Sequence, residues 1–260
     1  MELKFKKEPI FAELWDACLY GLLYNSKDYV NEILELFEKE NINKKSNIID
    51  TSSGTGFPSL ELMERGYKID CMDASDDEIE VFTRKAKEKK INVKCKKIFW
   101  KEIPENYEKE NYDFAFCRGN SFIFAAGGWN KSQKVNQKES LQKYKEALKI
   151  FYDLLKNGGV LYIDKFKDTE KPHKTKVGNV FVGNKKYELL FYNEVNKERK
   201  ERYAAMLMKD EQGKEEGLPN ITYLLTGKEL ELMLKEVGFK KIEKINLKNE
   251  GHFDIWLAHK

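Results

Sequence analysis

Ile48-Ile49-Asp50-Thr51-Ser52-Ser53-Gly54-Thr55-Gly56 is the stretch whose reading decides the fold. A short apolar strand stops on a carboxylate and runs into small residues and two glycines. A strand that turns sharply into a helix leaves unpaired N–H groups facing a crevice. Glycine reaches positive φ there and lets a ligand approach the backbone. Pro58 falls near the first turn of the next helix, where a missing N–H costs nothing, and Gly66 is placed to end it. A second strand, residues 69–73, also stops on an acid, Asp73. In a doubly wound sheet the crevice lies outside the carboxyl ends of the strands, where strand order reverses, and an acid at this point accepts hydrogen bonds from ribose hydroxyls. Two carboxylates flanking a glycine turn therefore point to an adenosine-containing ligand.

Working outward, strands alternate with helices, the pattern of a parallel sheet with crossover helices. Residues 9–40 hold the first helices, with Ser26 as the expected N-cap of the stripe Tyr29, Ile33, Leu36, Phe37. Ser75-Asp76-Asp77-Glu78 reads as a capping box opening a helix that turns Ile79, Phe82 and Ala86 inward. Strands are expected at 93–98 and 114–117. Leu141, Tyr144, Leu148, Phe151 and Leu155 mark a helix that Asn157-Gly158-Gly159 should end, before a fifth strand at 160–164. From Phe166 to about residue 225 the pattern becomes alternating and heavily charged, which suggests two or three antiparallel strands. Thr226-Gly227-Lys228-Glu229 is a second capping box; Gly238 closes its helix, and two strands near 242–245 and 253–258 finish the chain. The expected fold is α/β: a Rossmann-like, seven-stranded, mostly parallel sheet with helices on both faces and a small antiparallel insertion acting as a lid. Its divisions are N-terminal helices over the active site (1–45), a core (46–165 and 226–260) and the lid (166–225).

Composition narrows the partners. Among 260 residues, 47 basic and 44 acidic side chains give a net charge of +3, which does not call for nucleic acid or an anionic membrane. The basic runs Lys85–Lys90 and Lys94–Lys97 read as solvated surface, because acidic runs balance them. No apolar stretch approaches the ~18 residues of a membrane span. Cys18, Cys71, Cys95 and Cys117 are scattered, without a C-x-x-C, so neither a disulfide framework nor a metal site is expected and a reducing cytoplasm fits.

A dinucleotide fingerprint wants Gly-x-Gly-x-x-Gly; here Ser59 stands at the last position, which keeps a nicotinamide reading in play. Asp50 at the mouth of the loop would repel a pyrophosphate, yet it suits an amino group and a sulfonium. Asp50-Thr51-Ser52-Ser53-Gly54-Thr55-Gly56 resembles motif I of class I S-adenosylmethionine-dependent methyltransferases, with Ser52 at the usual first glycine. Met72-Asp73-Ala74-Ser75-Asp76, Phe99-Trp100 and Tyr112-Asp113 through Gly119-Asn120-Ser121-Phe122 are similar to segments of the glycine N-methyltransferase and sarcosine/dimethylglycine methyltransferase group. Trp15 and Tyr29 have the spacing of a Trp and a Tyr in that group's N-terminal helices.

The resemblance implies S-adenosylmethionine as cofactor and a small-molecule methyl acceptor, an amine such as glycine or sarcosine. It places Trp15, Asp50, Ser52, Gly54, Gly56, Asp73, Ala74, Phe99, Trp100 and Arg118 at the cofactor. Asp50 and the two glycines would serve the methionine end, Asp73 the ribose, and Phe99 with Trp100 the adenine. Asn120, Tyr20 and Tyr24 would position the acceptor; for the two tyrosines, core packing is the competing reading. Self-association into a homo-oligomer is compatible with this reading. Ile163-Asp164-Lys165-Phe166-Lys167-Asp168 departs from the group's pattern: the Arg that grips a substrate carboxylate is Phe166, with Lys165 and Lys167 the nearest cations in sequence. Two other readings stay open, a cofactor-binding protein without turnover and a nicotinamide-dependent oxidoreductase.

Overall fold

A computed structural model describes residues 10–127, 135–167 and 173–260. Parts of the expected N-terminal region (1–9) and lid (168–172) lie outside these described residues. The chain opens with α1 (Ile10–Cys18), a π turn over Leu19–Leu23 and α2 (Ser26–Lys39), then alternates through β1 (Ile48–Asp50), α3 (Ser59–Glu64), β2 (Ile69–Asp73), α4 (Asp76–Glu88) and β3 (Cys95–Lys97). It continues with α5 (Ile103–Asn106), β4 (Tyr112–Cys117), α6 (Gln137–Leu154) and β5 (Leu155–Phe166). Four strands follow, β6 (His173–Val182), β7 (Lys185–Asn196), β8 (Glu201–Lys209) and β9 (Glu215–Tyr223), and the chain ends with α7 (Gly227–Val237), β10 (Lys241–Ile245) and β11 (Phe253–His259).

The main sheet has the order β10-β11-β5-β4-β1-β2-β3, and only β11 runs against its neighbours. The architecture is the Rossmann-like one expected. Strand order reverses between β1 and β4, so the carboxyl ends of these two strands flank the crevice. The central strands are apolar on both faces because helices cover both. Ile49, Ala115, Cys117, Leu161 and Ile163 pack under α6 and α7 with Tyr144, Leu148, Phe151, Leu230 and Leu234. Their alternates Ile48, Phe114, Phe116 and Tyr162 pack on the other face with Tyr29, Ile33, Phe37 and Phe82.

The second sheet is an antiparallel meander, β6-β7-β8-β9. It has four strands where two or three were expected, because high charge density weakened the period-two signal. α1 joins it: Phe11, Leu14 and Cys18 cluster with Val180, Tyr187, Leu189 and Met208. Phe166, at the end of β5, stacks on Phe253 at 4.7 Å and meets Phe191 of β7 at 5.2 Å.

Several local expectations change. Asn25, not Ser26, caps α2, its side chain accepting from the Asp28 N–H. Helix α6 stops at Leu154, and β5 begins at Leu155, so Asn157-Gly158-Gly159 lies within the strand rather than ending the helix. Val81 and Lys85 are buried on α4 beside Phe82 and Ala86, whereas Ile79 is only partly covered. The Thr226/Glu229 capping box is complete, with reciprocal bonds of 3.2 and 2.9 Å.

Candidate active site

The glycine loop is held from beneath. Asp50 is fully buried; one carboxylate oxygen accepts the Ser52 N–H at 3.2 Å, and the other accepts the Ser59 hydroxyl at 2.5 Å. It therefore braces the loop against the start of α3 rather than standing as an open charge at its mouth, which corrects the sequence expectation. Ser53 bonds back to the Asp50 carbonyl through its hydroxyl and to Met72 through its N–H. Gly56, at φ +102°, has no space for a side chain: a β-carbon would lie 2.5 Å from Leu60 Cδ1. Its role is the close approach of loop, α3 and α4.

Gly54, at φ +51°, lies at the end of the loop nearest β2. Its N–H donates to Asp73 Oδ2 at 2.8 Å, joining the ends of β1 and β2. Asp73 Oδ1 accepts the Ser75 N–H at 2.9 Å. That bond changes the expected capping box. Ser75 Oγ accepts from the Glu78 N–H at 3.4 Å, but the Ser75 N–H that Glu78 would have taken goes to Asp73. Glu78 instead turns inward, and its Oε2 would lie 3.4 Å from a β-carbon on Gly54. Burial holds the Asp73 carboxyl above its ordinary range, and the backbone N–H donors oppose this.

The β4 side carries a second braced turn. Asp164, fully buried at the end of β5, accepts the Gly119 N–H at 2.9 Å and the Asn120 N–H at 2.6 Å. This fixes Asn120 in the left-handed region (φ 61°), and its side-chain oxygen accepts the Phe166 N–H at 3.0 Å. Burial and the nearby Glu250 raise the Asp164 carboxyl, while Arg118 and the two N–H donors oppose them. The Arg118 backbone carbonyl accepts the Ser52 hydroxyl at 3.5 Å, but its side chain points into a buried cluster. There Nε donates to Tyr29 (3.1 Å), Nη1 to the Phe57 carbonyl (3.0 Å), and Nη2 to both Tyr24 (3.2 Å) and Glu250 (3.1 Å). Tyr24 in turn donates to Glu250 at 2.8 Å.

The aromatic residues divide. Trp100 is half-buried, edge-on to Phe151 at 5.2 Å, and its indole N–H donates to the Thr51 carbonyl at 2.6 Å, which ties it to the loop. Phe99 is half exposed and Ala74 is exposed. Trp15 is partly buried between α1 and the core. Tyr20 donates to Glu61 and lies under Lys85, whose ammonium also pairs with Asp16, so its hydroxyl belongs to an inter-helix network. The sequence gives no sign of Glu250, and it presents Ser59 only as a glycine stand-in and Asp164 only as the end of a strand. Glu250 sits in a loop with no pattern around it; Glu78 was visible, but only as a cap.

Buried Asp50 has a consequence for stability. Desolvation lifts its carboxyl from 3.8 to about 6, although the Ser59 bond, Arg118 and the Ser52 N–H pull the other way. The unfolded chain gives up this proton near pH 4, while the native state keeps it until about pH 6. The contribution is thus present in acid and lost as pH rises between these values, by about 3 kcal/mol. In urea unfolding from pH 4 to 7, Asp50→Asn should remove this downward component; an unchanged slope would contradict it.

An adenosine ligand fits these residues in one specific respect: of the nine buried side-chain atoms without a hydrogen-bond partner among the described residues, Thr55 Oγ1 belongs to the glycine loop and Glu78 Oε2 faces Gly54. Buried polar groups are normally satisfied, so orphans beside a glycine cradle favour a ligand that brings polar partners. Comparison with known proteins agrees with the geometry. The glycine/sarcosine N-methyltransferase of Aphanothece halophytica is 25% identical over 154 residues, 59% of this chain and 51% of that protein. Human (Homo sapiens) glycine N-methyltransferase is 24% identical over 162 residues, 59% and 50% respectively. The chain thus spans about half the length of these curated relatives. Among solved structures, a sugar N-methyltransferase from Streptoalloteichus sp. has a TM-score of 0.69 at 13% identity, covering 100% of this chain and 96% of that one. A SAM-bound amino pentose methyltransferase from Micromonospora echinaspora has a TM-score of 0.68 at 11% identity, covering 100% and 98%. At such identities these likenesses speak for the fold alone. Residues 42–222 match the methyltransferase domain family, and with this sheet order and glycine cradle the chain belongs to that family and has the class I methyltransferase fold.

Proposed function

We propose that this chain transfers a methyl group from S-adenosylmethionine to an amine nitrogen of a small-molecule acceptor. The observation that carries the reading is the Gly54–Asp73 bond of 2.8 Å, which joins the glycine loop to the acidic end of β2. Asp73 accepts one backbone N–H on each oxygen and keeps lone pairs for ribose hydroxyls. Trp100, fixed by its bond to Thr51, serves the adenine end, with Phe99 beside it in sequence. Asp50 acts through the loop it braces, and Asp164 holds the Gly119-Asn120 turn at the acceptor side.

When bound, the sulfonium supplies an activated methyl and leaves as a neutral thioether. An amine acceptor would have to be presented to that methyl with its nitrogen lone pair free, and its surplus proton would pass to water. A neutral amine needs no strong base, so the chain's task is to hold two partners at an attack distance of about 3–3.5 Å and exclude water. The β6–β9 meander, fastened to α1 and to Phe166, supplies the cover and carries acceptor specificity, as insertions at this end of such sheets do. Support for an amine comes from the curated relatives, which are named as N-methyltransferases of glycine or sarcosine. Phe166 in its aromatic stack provides no fork for a carboxylate, so neutral amines belong in the test beside amino acids.

Incubation with S-adenosylmethionine and glycine, sarcosine, dimethylglycine and a neutral amino sugar, read by mass spectrometry, should yield one product heavier by a methyl group. S-adenosylhomocysteine uptake without any methylated amine would overturn the amine assignment.

A further inference from the structure

Glu78 is a carboxyl group whose position folding alone does not justify. It lies in the first turn of α4, where its backbone N–H is used by the Ser75 cap. Its Oε2 is inaccessible to solvent and has no hydrogen-bond partner among the described residues. It faces Gly54 at the cradle, 3.4 Å from where a β-carbon would stand. The charged groups that act on it are Asp73, Asp16 from α1, Lys85 and Asp77; three are acids. A partly buried acidic side chain beside acids, with one buried oxygen left unsatisfied, costs stability. Such a cost is normal where a residue serves a ligand.

We propose that Glu78 is a second ribose-binding carboxyl, working beside Asp73. This rests on the proposed use of S-adenosylmethionine. The chemistry recognised is a vicinal diol. Asp73 spends one lone pair per oxygen on the backbone N–H groups of Gly54 and Ser75, so it is a partly committed acceptor. A second carboxyl on the next turn, aimed at the same glycine, supplies the capacity that a pair of hydroxyls requires. Burial and its acidic neighbours push Glu78 well above the ordinary carboxyl range.

The experiment measures S-adenosylhomocysteine affinity by calorimetry and thermal stability of the ligand-free protein. Glu78→Met should lower affinity about tenfold, and Glu78→Gln, which keeps shape and polarity, by no more than about threefold. Stability should move the opposite way: Glu78→Met removes an orphaned buried polar group, so its melting temperature should be equal to or above that of the parent. A purely structural role predicts that affinity and stability fall together. With 2′-deoxy and 3′-deoxy S-adenosylhomocysteine, at least one hydroxyl deletion should weaken the parent several-fold and leave Glu78→Met unaffected, the coupling expected of a direct contact. Parent-like affinity in Glu78→Met, or additive losses for both deoxy ligands, would overturn the proposal while leaving the methyltransferase reading intact. If the parent takes up no S-adenosylhomocysteine, that reading fails first.

Discussion

Arg118→Met should destabilise the protein by about 3–5 kcal/mol, the usual cost of breaking a buried ion pair from one side. The Arg118 guanidinium makes four bonds, to Tyr29, the Phe57 carbonyl, Tyr24 and Glu250, and both charged side chains are almost completely buried. Without it, Glu250 is an uncompensated charge that keeps the bond it accepts from Tyr24. The cluster also joins segments distant in sequence: the loop before β11, the chain between the π turn and α2, and the end of β4. Loss of Arg118 therefore loosens the N-terminal helices and the Ser52 anchor together. The penalty comes mainly from the orphaned partner rather than from the pair's net worth, so the double variant Arg118→Met/Glu250→Gln should recover more than half of it. Urea unfolding checks both values. A single variant within about 1 kcal/mol of the parent would show that the pair is not buried as described.

Asp73→Ala should reduce S-adenosylhomocysteine affinity about a hundredfold, equivalent to about 2.7 kcal/mol. Two effects add. The ribose loses a carboxylate acceptor, and hydrogen bonds to charged groups contribute about 1.5–3 kcal/mol. The Gly54 and Ser75 N–H groups also lose their shared partner, so the ends of β1 and β2 are no longer tied. Asp73→Asn keeps one oxygen acceptor and should fall between the two. Calorimetry with both variants is the check, and parent-like affinity in Asp73→Ala would remove Asp73 from the site.

The sheet was legible because its signals are local. Ile48-Ile49 and the alternating Phe114, Ala115, Phe116, Cys117 are apolar on both faces, as a parallel strand covered by helices must be. The Thr226/Glu229 box marked its helix because both halves of the motif are local in sequence. The sequence placed Gly54 and Asp73 at the ends of neighbouring strands, where they meet, and Trp100 is tied to the same loop through Thr51. It misled where a residue's partners are set by the folded geometry. Asp50 looks like a charge offered to a ligand until Ser59 closes over it. Arg118 sits beside the Gly119-Asn120 turn in sequence but spends its guanidinium on Tyr24, Tyr29 and Glu250. Glu78 matches a capping box until Asp73 takes the N–H that would have satisfied it. The Arg118 partners Tyr24, Tyr29 and Glu250 lie 89 to 132 residues away, and the Ser59 and Asp73 contacts, though near in sequence, depend on how the loop folds back, which no periodicity encodes.

The central claim is that the crevice outside β1, β2 and β4 takes an S-adenosyl compound rather than a dinucleotide. The most direct measurement is calorimetric titration of the parent protein with S-adenosylhomocysteine and, separately, with a reduced nicotinamide dinucleotide. One equivalent of S-adenosylhomocysteine with saturable heat, and none for the dinucleotide, is the predicted result. Saturable uptake of the dinucleotide with no heat from S-adenosylhomocysteine would contradict the account.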